Sequence, residues 1–245
     1  VAMQKGGCGK TTTAINMSAY LALKGKRVLI INLDPQAHTT IGLGKDEWNL
    51  PASVIEALLG KKDINQVIQP TEIPGLDIAP CNIDLTGVEG QYATTPGREY
   101  ILEDVLQKLR DYDYVIIDTP PNLGFFTVNA IVACNTLIVP LQIEYYALSG
   151  YAHMLKTLEL VERLLKRKPK QKILLTMHDA RTKDSGKLES QIWDYFKGAV
   201  FHTVIHRNIK LSRAPSKGEP IAVYSPDSAG AVAYCELVEE FLNGT

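Results

Sequence analysis

The stretch Lys5-Gly6-Gly7-Cys8-Gly9-Lys10-Thr11-Thr12 constrains the fold more than any other part of the chain. Three glycines in four positions let backbone N–H groups curve around an anion without Cβ clashes. The run Thr11, Thr12, Thr13, Ala14 can then open a helix whose positive dipole end faces that anion. Such a cradle reads as the turn between a buried strand and a helix. Lys10 is placed to reach the β- and γ-phosphates of a nucleotide, and the Thr11 hydroxyl to ligate Mg²⁺. The ordinary G-x-x-x-x-G-K-[ST] pattern is not met, because Gln4 stands where the first glycine belongs. A second lysine, Lys5, precedes the glycine pair and is surplus to a one-subunit site.

Two later apolar runs end in aspartate. Arg27 to Leu33 is nearly continuous in apolar residues, which suits a parallel strand buried on both faces, and it runs into Asp34-Pro35-Gln36. Tyr114 to Ile117 repeats the form and runs into Asp118-Thr119-Pro120-Pro121. In an open α/β sheet ligands bind at the carboxyl ends of strands, so both aspartates are delivered to the edge that holds the glycine loop. Asp118 has the form of a Walker B carboxylate that supports Mg²⁺. Either aspartate alone could be a helix cap or an Asx-turn; the pair points to a nucleotide site.

Around these runs, helices are expected over 12–23, 53–59, 99–109, 127–133, 148–166, 186–196 and 230–242. Further strands are expected over 76–80, 136–140, 172–177 and 200–205. Strands alternating with helices imply a P-loop NTPase-type, mostly parallel twisted sheet with helices on both faces. The 245 residues suit a single domain, 1–245, with no separate helix-turn-helix unit. The segment 41–92 carries no readable chemistry. Val1-Ala2-Met3 directly abuts the glycine loop, so the expected feeding strand is cut short and a few residues are expected to precede it.

A net charge of -1 conceals an asymmetry: residues 151–220 hold 15 Lys/Arg against 7 Asp/Glu, of totals of 26 and 27. A basic face of that kind suits a phosphate backbone, whereas a solvated helix surface is the plain alternative. The four cysteines lie far apart, with no C-x-x-C pair to suggest zinc, an iron–sulfur cluster or a redox dithiol, and a reducing cytosol is expected. No apolar run approaches a bilayer span and no signal peptide opens the chain.

Lys5-Gly-Gly-Cys-Gly-Lys-Thr-Thr-Thr, Asp34-Pro-Gln, Ile117-Asp-Thr-Pro-Pro, Thr176-Met-His-Asp-Ala-Arg-Thr and Arg207-Asn-Ile-Lys-Leu-Ser-Arg-Ala-Pro-Ser together resemble the ParA/Soj family of partition ATPases, the deviant-Walker P-loop proteins. The resemblance runs from the first residue to about Leu242. It implies an ATP- and Mg²⁺-dependent homodimer that binds double-stranded DNA without sequence preference. It also implies a ParB-like partner that stimulates slow hydrolysis, and a cytoplasmic, nucleoid-associated protein that does not bind membrane. Residue by residue, it makes Lys5 a lysine that crosses to the partner subunit's ATP, a device akin to an arginine finger. Gly6, Gly7, Cys8, Gly9, Lys10, Thr11 and Thr12 hold phosphates; Thr11, Asp34 and Asp118 serve the metal; Asp34 also orients the attacking water. Met177, Arg207 and Asn208 fall at the adenine pocket, although core packing is an equal reading for Met177. Arg181 and Lys210 fall where the family meets DNA, Arg213 adds a DNA-binding charge where many relatives carry glutamate, and the run 163–172 is a weaker candidate.

Three positions depart from the family pattern. Asn32 stands where an aspartate is common, His206 replaces a proline, and Cys8 replaces a valine, beside phosphates and a lysine that can lower its thiol pKa. An alternative of a different class is a cargo-positioning relative, which uses the same ATP-gated DNA binding and differs in its adaptor. A MinD-like membrane switch needs a basic amphipathic C-terminal helix, whereas this chain ends Glu236-Leu-Val-Glu-Glu-Phe-Leu-Asn-Gly-Thr. A nitrogenase-reductase role needs cluster-ligating cysteines that Cys81 and Cys134 do not supply.

Overall fold

The computed structural model describes residues 1–143, 147–178 and 185–244, so Arg181 lies outside the described residues. Its strands are β1 (Val28–Asn32), β2 (Gln69–Pro70), β3 (Leu76–Ala79), β4 (Tyr114–Asp118), β5 (Thr136–Gln142), β6 (Lys170–His178) and β7 (Ile205–His206). The helices are α1 (Lys10–Leu23), α2 (His38–Gly42), α3 (Val54–Leu58), α4 (Thr86–Gln91), α5 (Ile101–Leu106), α6 (Phe125–Ala133), α7 (Ala147–Leu165), α8 (Ser185–Phe196), α9 (Ile209–Arg213), α10 (Ile221–Tyr224) and α11 (Ala229–Leu242).

The strands pair in the orders β2-β3-β1-β4 and β5-β6-β7, all parallel except β2 on β3. Residues Val1 to Met3 join the two groups. The Val1 nitrogen donates to the Ile117 carbonyl at 2.6 Å and the Ala2 N–H to the Ile138 carbonyl at 3.1 Å, so the glycine loop leaves from the middle of the combined sheet. β1 is fully buried because both its faces are covered. Val28 and Ile30 pack in the core under α1 and α11, whereas Leu29 and Ile31 pack in the core under α3, α5 and α6. A third core lies under α7 and α8, where Tyr151, Met154, Leu158 and Val161 follow helical spacing and meet Leu137, Val139, Leu141, Ile173 and Leu175.

The expected extended run over 200–205 is not one strand. Val200 makes an isolated bridge to Ile173, and β7 starts only at Ile205. Between them the N–H groups of His202 and Thr203 are taken by the Glu240 carboxylate at 2.7 and 2.9 Å, which replaces a ladder with a helix-borne cap. Within the basic run 163–172, Arg167 pairs with Glu103 and Lys168 with Glu162 at 2.8 Å. Lys172 is buried, its ammonium 5.4 Å from the Phe201 ring centroid. Much of that run is therefore engaged within the fold.

Candidate functional site

The glycine loop enters α1 through Gly9, whose φ of 92° is left-handed, and Gly7 (φ 71°) is left-handed as well. A Cβ on Gly6 or Gly7 would meet nothing within 4 Å, so the inner face of the loop is open. No side chain caps the start of α1, which leaves its first N–H groups to an external acceptor. Lys10 is buried to 6% exposure, and its ammonium donates to the Lys5 carbonyl at 2.9 Å across the loop.

Asp118, at the end of β4, is fully buried. Its Oδ2 accepts from Thr11 at 2.8 Å and from Thr39 at 2.7 Å, while Oδ1 has no partner. Burial pushes this carboxyl above the usual carboxylate range, against the opposing pull of the Thr39 and Thr11 hydroxyls. An orphaned buried carboxylate oxygen beside a loop threonine is a hard-oxygen donor set suited to Mg²⁺. The open cradle and this oxygen together fit a metal-bound nucleotide.

Asp34 lies just beyond β1 and is 5% exposed. Its Oδ1 accepts from the Gln36 N–H at 3.0 Å, and its main chain is held by Asn32 and Cys81. A cleft of about 500 Å³ is lined by Gly6, Gly7, Gly9, Lys10, Thr11 and Thr12 on one side and by Asp34, Gln36 and Met177 on the other. A second cavity of about 450 Å³ shares Gly9, Thr12 and Met177, and adds His206, Arg207 and Asn208. Met177 is half-buried with φ 53° and lines both cavities. His206 places its Nδ1 3.2 Å from that of His178. The Asn208 side-chain oxygen caps α9 by accepting from the Lys210 N–H at 2.8 Å, and Lys210 and Arg213 stand exposed on that short helix.

The structure thus gathers Gly6, Gly7, Gly9, Lys10, Thr11, Thr12, Asp34, Met177, Arg207 and Asn208 around two joined cavities, with Asp118 behind Thr11. Lys5 does not line either cavity; its ammonium donates to Gln142 Oε1 at 3.2 Å. Cys8 corrects an expectation. Its side chain turns into the core with Ala2, Met3 and Ile131, is 1% exposed, and donates to the Lys5 carbonyl at 3.2 Å. Burial raises its thiol pKa where proximity to lysines and phosphates suggested a lowered one. Sequence reasoning missed α2 altogether. Thr39 and Thr40 read as unremarkable polar residues, and the only available signal was their position a few residues past Asp34.

A second feature brings distant segments together. Gly44, just past α2, and Gly218, closing the 3-10 turn Ala214–Lys217 that follows α9, are both left-handed (φ 74° and 67°) and back onto each other. A Cβ on Gly218 would lie 2.6 Å from the Gly44 Cα and 2.9 Å from its nitrogen. The segment carrying Asp34 is thereby packed on the segment carrying Lys210 and Arg213.

Residues 1–171 match the family model described as an AAA domain. The chain is 42% identical over 239 residues to the sporulation initiation inhibitor protein Soj of Bacillus subtilis, covering 97% of this chain and 94% of the relative. It is 41% identical over 244 residues to the chromosome partitioning protein ParA of Myxococcus xanthus, covering 99% and 86% respectively. Among solved structures, a cobyrinic acid a,c-diamide synthase from Mycobacterium smegmatis with bound ATP analog and magnesium is 37% identical at a TM-score of 0.84, covering 99% of this chain and 92% of that one. The cell division ATPase MinD of Pyrococcus furiosus shares the fold, with a TM-score of 0.81 at 22% identity over 100% of this chain and 98% of that one. A phosphate cradle preceded by an extra lysine, strand-terminal aspartates on the same sheet edge and near full-length likeness to Soj and ParA lead to one assignment: the chain belongs to the ParA/Soj family of P-loop partition ATPases.

Proposed function

We propose that this chain, acting as one ATPase domain, is an ATP-gated DNA partition switch. ATP with Mg²⁺ closes two copies into a homodimer that holds double-stranded DNA without sequence preference, and a ParB-like partner stimulates hydrolysis and release at the nucleoid. The observation that carries this reading is the direct packing of the Asp34 segment on the basic segment at Gly44 and Gly218, which gives a nucleotide-sensing strand end a physical route to Lys210 and Arg213.

Within the site, the glycine loop and the open start of α1 bind phosphate, and Lys10 neutralises it. Thr11, with Asp34 and Asp118, would hold Mg²⁺, which would supply neutralisation of phosphate charge. Asp34 orients the attacking water, as a carboxylate aimed into the cleft by the Gln36 N–H. Met177, Arg207 and Asn208 enclose the base. Lys5 acts across the dimer, stabilising charge only once a second copy has closed, so chemistry waits for assembly. Arg181, Lys210 and Arg213 meet DNA phosphates.

Two other uses of the fold are less well supported. Amide synthesis by transfer from glutamine requires an activated cysteine, and no cysteine here is paired with a histidine among the described residues. Tyr234, Leu237 and Val238 of α11 are buried against α1, so α11 itself offers a membrane surface no free face at those residues. No described helix is long and apolar enough to cross a membrane. The test is DNA retention measured with ATP, with ADP and without nucleotide at two salt concentrations. Retention only with ATP, weakening at higher salt, is the expected result; equal retention in all three states would overturn the gating.

A further inference from the structure

The chain segment bearing Asp34 is closed into a ring of hydrogen bonds behind the nucleotide cleft. Asn32, 0% exposed at the end of β1, accepts the Asp34 N–H on Oδ1 at 3.0 Å and donates from Nδ2 to the Thr40 hydroxyl at 3.0 Å. The Thr40 hydroxyl donates to the Cys81 carbonyl at 3.0 Å and accepts the Cys81 N–H at 3.1 Å. The Cys81 thiol donates to the Asp34 carbonyl at 3.0 Å, which returns the ring to its start.

Every position in the ring is used. A hydroxyl has one hydrogen and two lone pairs, and Thr40 commits the hydrogen to the Cys81 carbonyl and the lone pairs to the Cys81 N–H and Asn32. Only a donor at position 32 completes this arrangement, and an amide is a donor where a carboxylate is not. Asn32, Thr40 and Cys81 are all buried and none of them lines either cavity. Within the ring, the residue that lines the nucleotide cleft is Asp34.

We propose that Asn32, Thr40 and Cys81 are positioning residues that fix both main-chain groups of Asp34, and so the direction from which its carboxylate holds the attacking water. The inference rests on the water-orienting role given to Asp34 above. It explains how an asparagine can serve at this strand end: the amide closes a ring that a second carboxylate would open.

The test compares Thr40→Ser, Thr40→Val, Cys81→Ser and Cys81→Ala, reading kcat for ATP hydrolysis, ATP affinity with a fluorescent ATP analogue, and thermal melting. Serine at either position keeps the donor, so kcat within about threefold of the parent is expected. Valine at 40 and alanine at 81 each break the ring, and alanine at 81 leaves the Asp34 main chain held by the Asn32 amide oxygen and the Ala37 N–H alone. For both, kcat is expected to fall about tenfold or more with affinity within about threefold, since small misplacements of a positioned group cost that much. A folded, ATP-binding Thr40→Val that hydrolyses at the parent rate would overturn the proposal, as would Thr40→Ser falling as far as Thr40→Val. Should Thr40→Val fail to fold, Cys81→Ala decides, because it removes a link and spares the hub; parental kcat there overturns it too. Asp34→Ala is measured alongside. If that variant hydrolyses ATP at the parent rate, the reading of Asp34 fails; if it is inactive while the ring variants are unaffected, only the ring proposal fails.

Discussion

Gly218→Ala is the sharpest probe of how the two functional segments are fastened. The backbone at 218 has φ 67°, and its added methyl would stand 2.6 Å from the Gly44 Cα and 2.9 Å from the Gly44 nitrogen, both backbone atoms with no rotamer to yield. Left-handed strain costs alanine roughly 1 kcal/mol, and forcing a methyl into packed surroundings costs about 1–3 kcal/mol more, so a total near 2–4 kcal/mol is expected. For a chain of this size each kcal/mol lowers Tm by roughly 2–4 °C, giving a drop on the order of 4–16 °C. Gly25→Ala is the matched control. Gly25 is equally left-handed at φ 80°, yet its methyl would meet nothing within 4 Å, so only the strain of about 1 kcal/mol remains. Denaturant unfolding of the three proteins reads the difference directly. Because Ala214 and Pro215, on the same turn, line the main cleft, Gly218→Ala also weakens ATP binding and Gly25→Ala does not. If the two variants lose equal stability, the backbone contact is not what holds these segments together.

The Asp118 carboxyl titrates above its unfolded value, so the folded form binds its proton more tightly. Its contribution to stability is present at low pH and is lost as pH rises through the raised pKa; Asp118→Asn, measured without Mg²⁺, should lack that acid-side gain. A parent and variant with parallel stability profiles across this window would contradict it. Lys210→Ala and Arg213→Ala should each reduce the log–log salt slope of DNA binding by about 0.9 per protomer for the one phosphate that the side chain neutralises, with ATP affinity unchanged. An unaltered slope would place DNA on other residues. Cys8, 1% exposed with a raised pKa, should react with iodoacetamide only on unfolding; rapid labelling of the folded protein would contradict its placement in the core.

The sheet was legible in the sequence because it is buried on both faces: Val28 to Ile31 cannot be read as anything but an interior strand. The site was legible where function demands unusual composition, as at Gly6 to Lys10, or where a charge ends an apolar run, as at Asp34 and Asp118. What escaped was set by three-dimensional pairing. Thr39 and Thr40 are ordinary residues until one meets Asp118 and the other Cys81, 79 and 41 positions away. Cys8 was misread for a related reason. Loop composition places its backbone beside phosphate, but alternation at the turn sends its side chain into the core. The break between Val200 and Ile205 was hidden because its cause, Glu240, lies on another helix.

A hydroxyl is an ambivalent group, able to give a hydrogen or offer a lone pair, and at a cation position it can settle either way. The bond from Thr11 to Asp118 removes that ambivalence. With its one hydrogen spent on the carboxylate, the Thr11 oxygen has only lone pairs left to present, whatever else enters the cleft. Thr39 spends its own hydrogen on the same carboxylate oxygen, so the loop and the segment after Asp34 share one anchor. The polarity of the threonine is therefore set by the fold in advance of any ion, and a tug on either segment is transmitted to the other through a single oxygen atom.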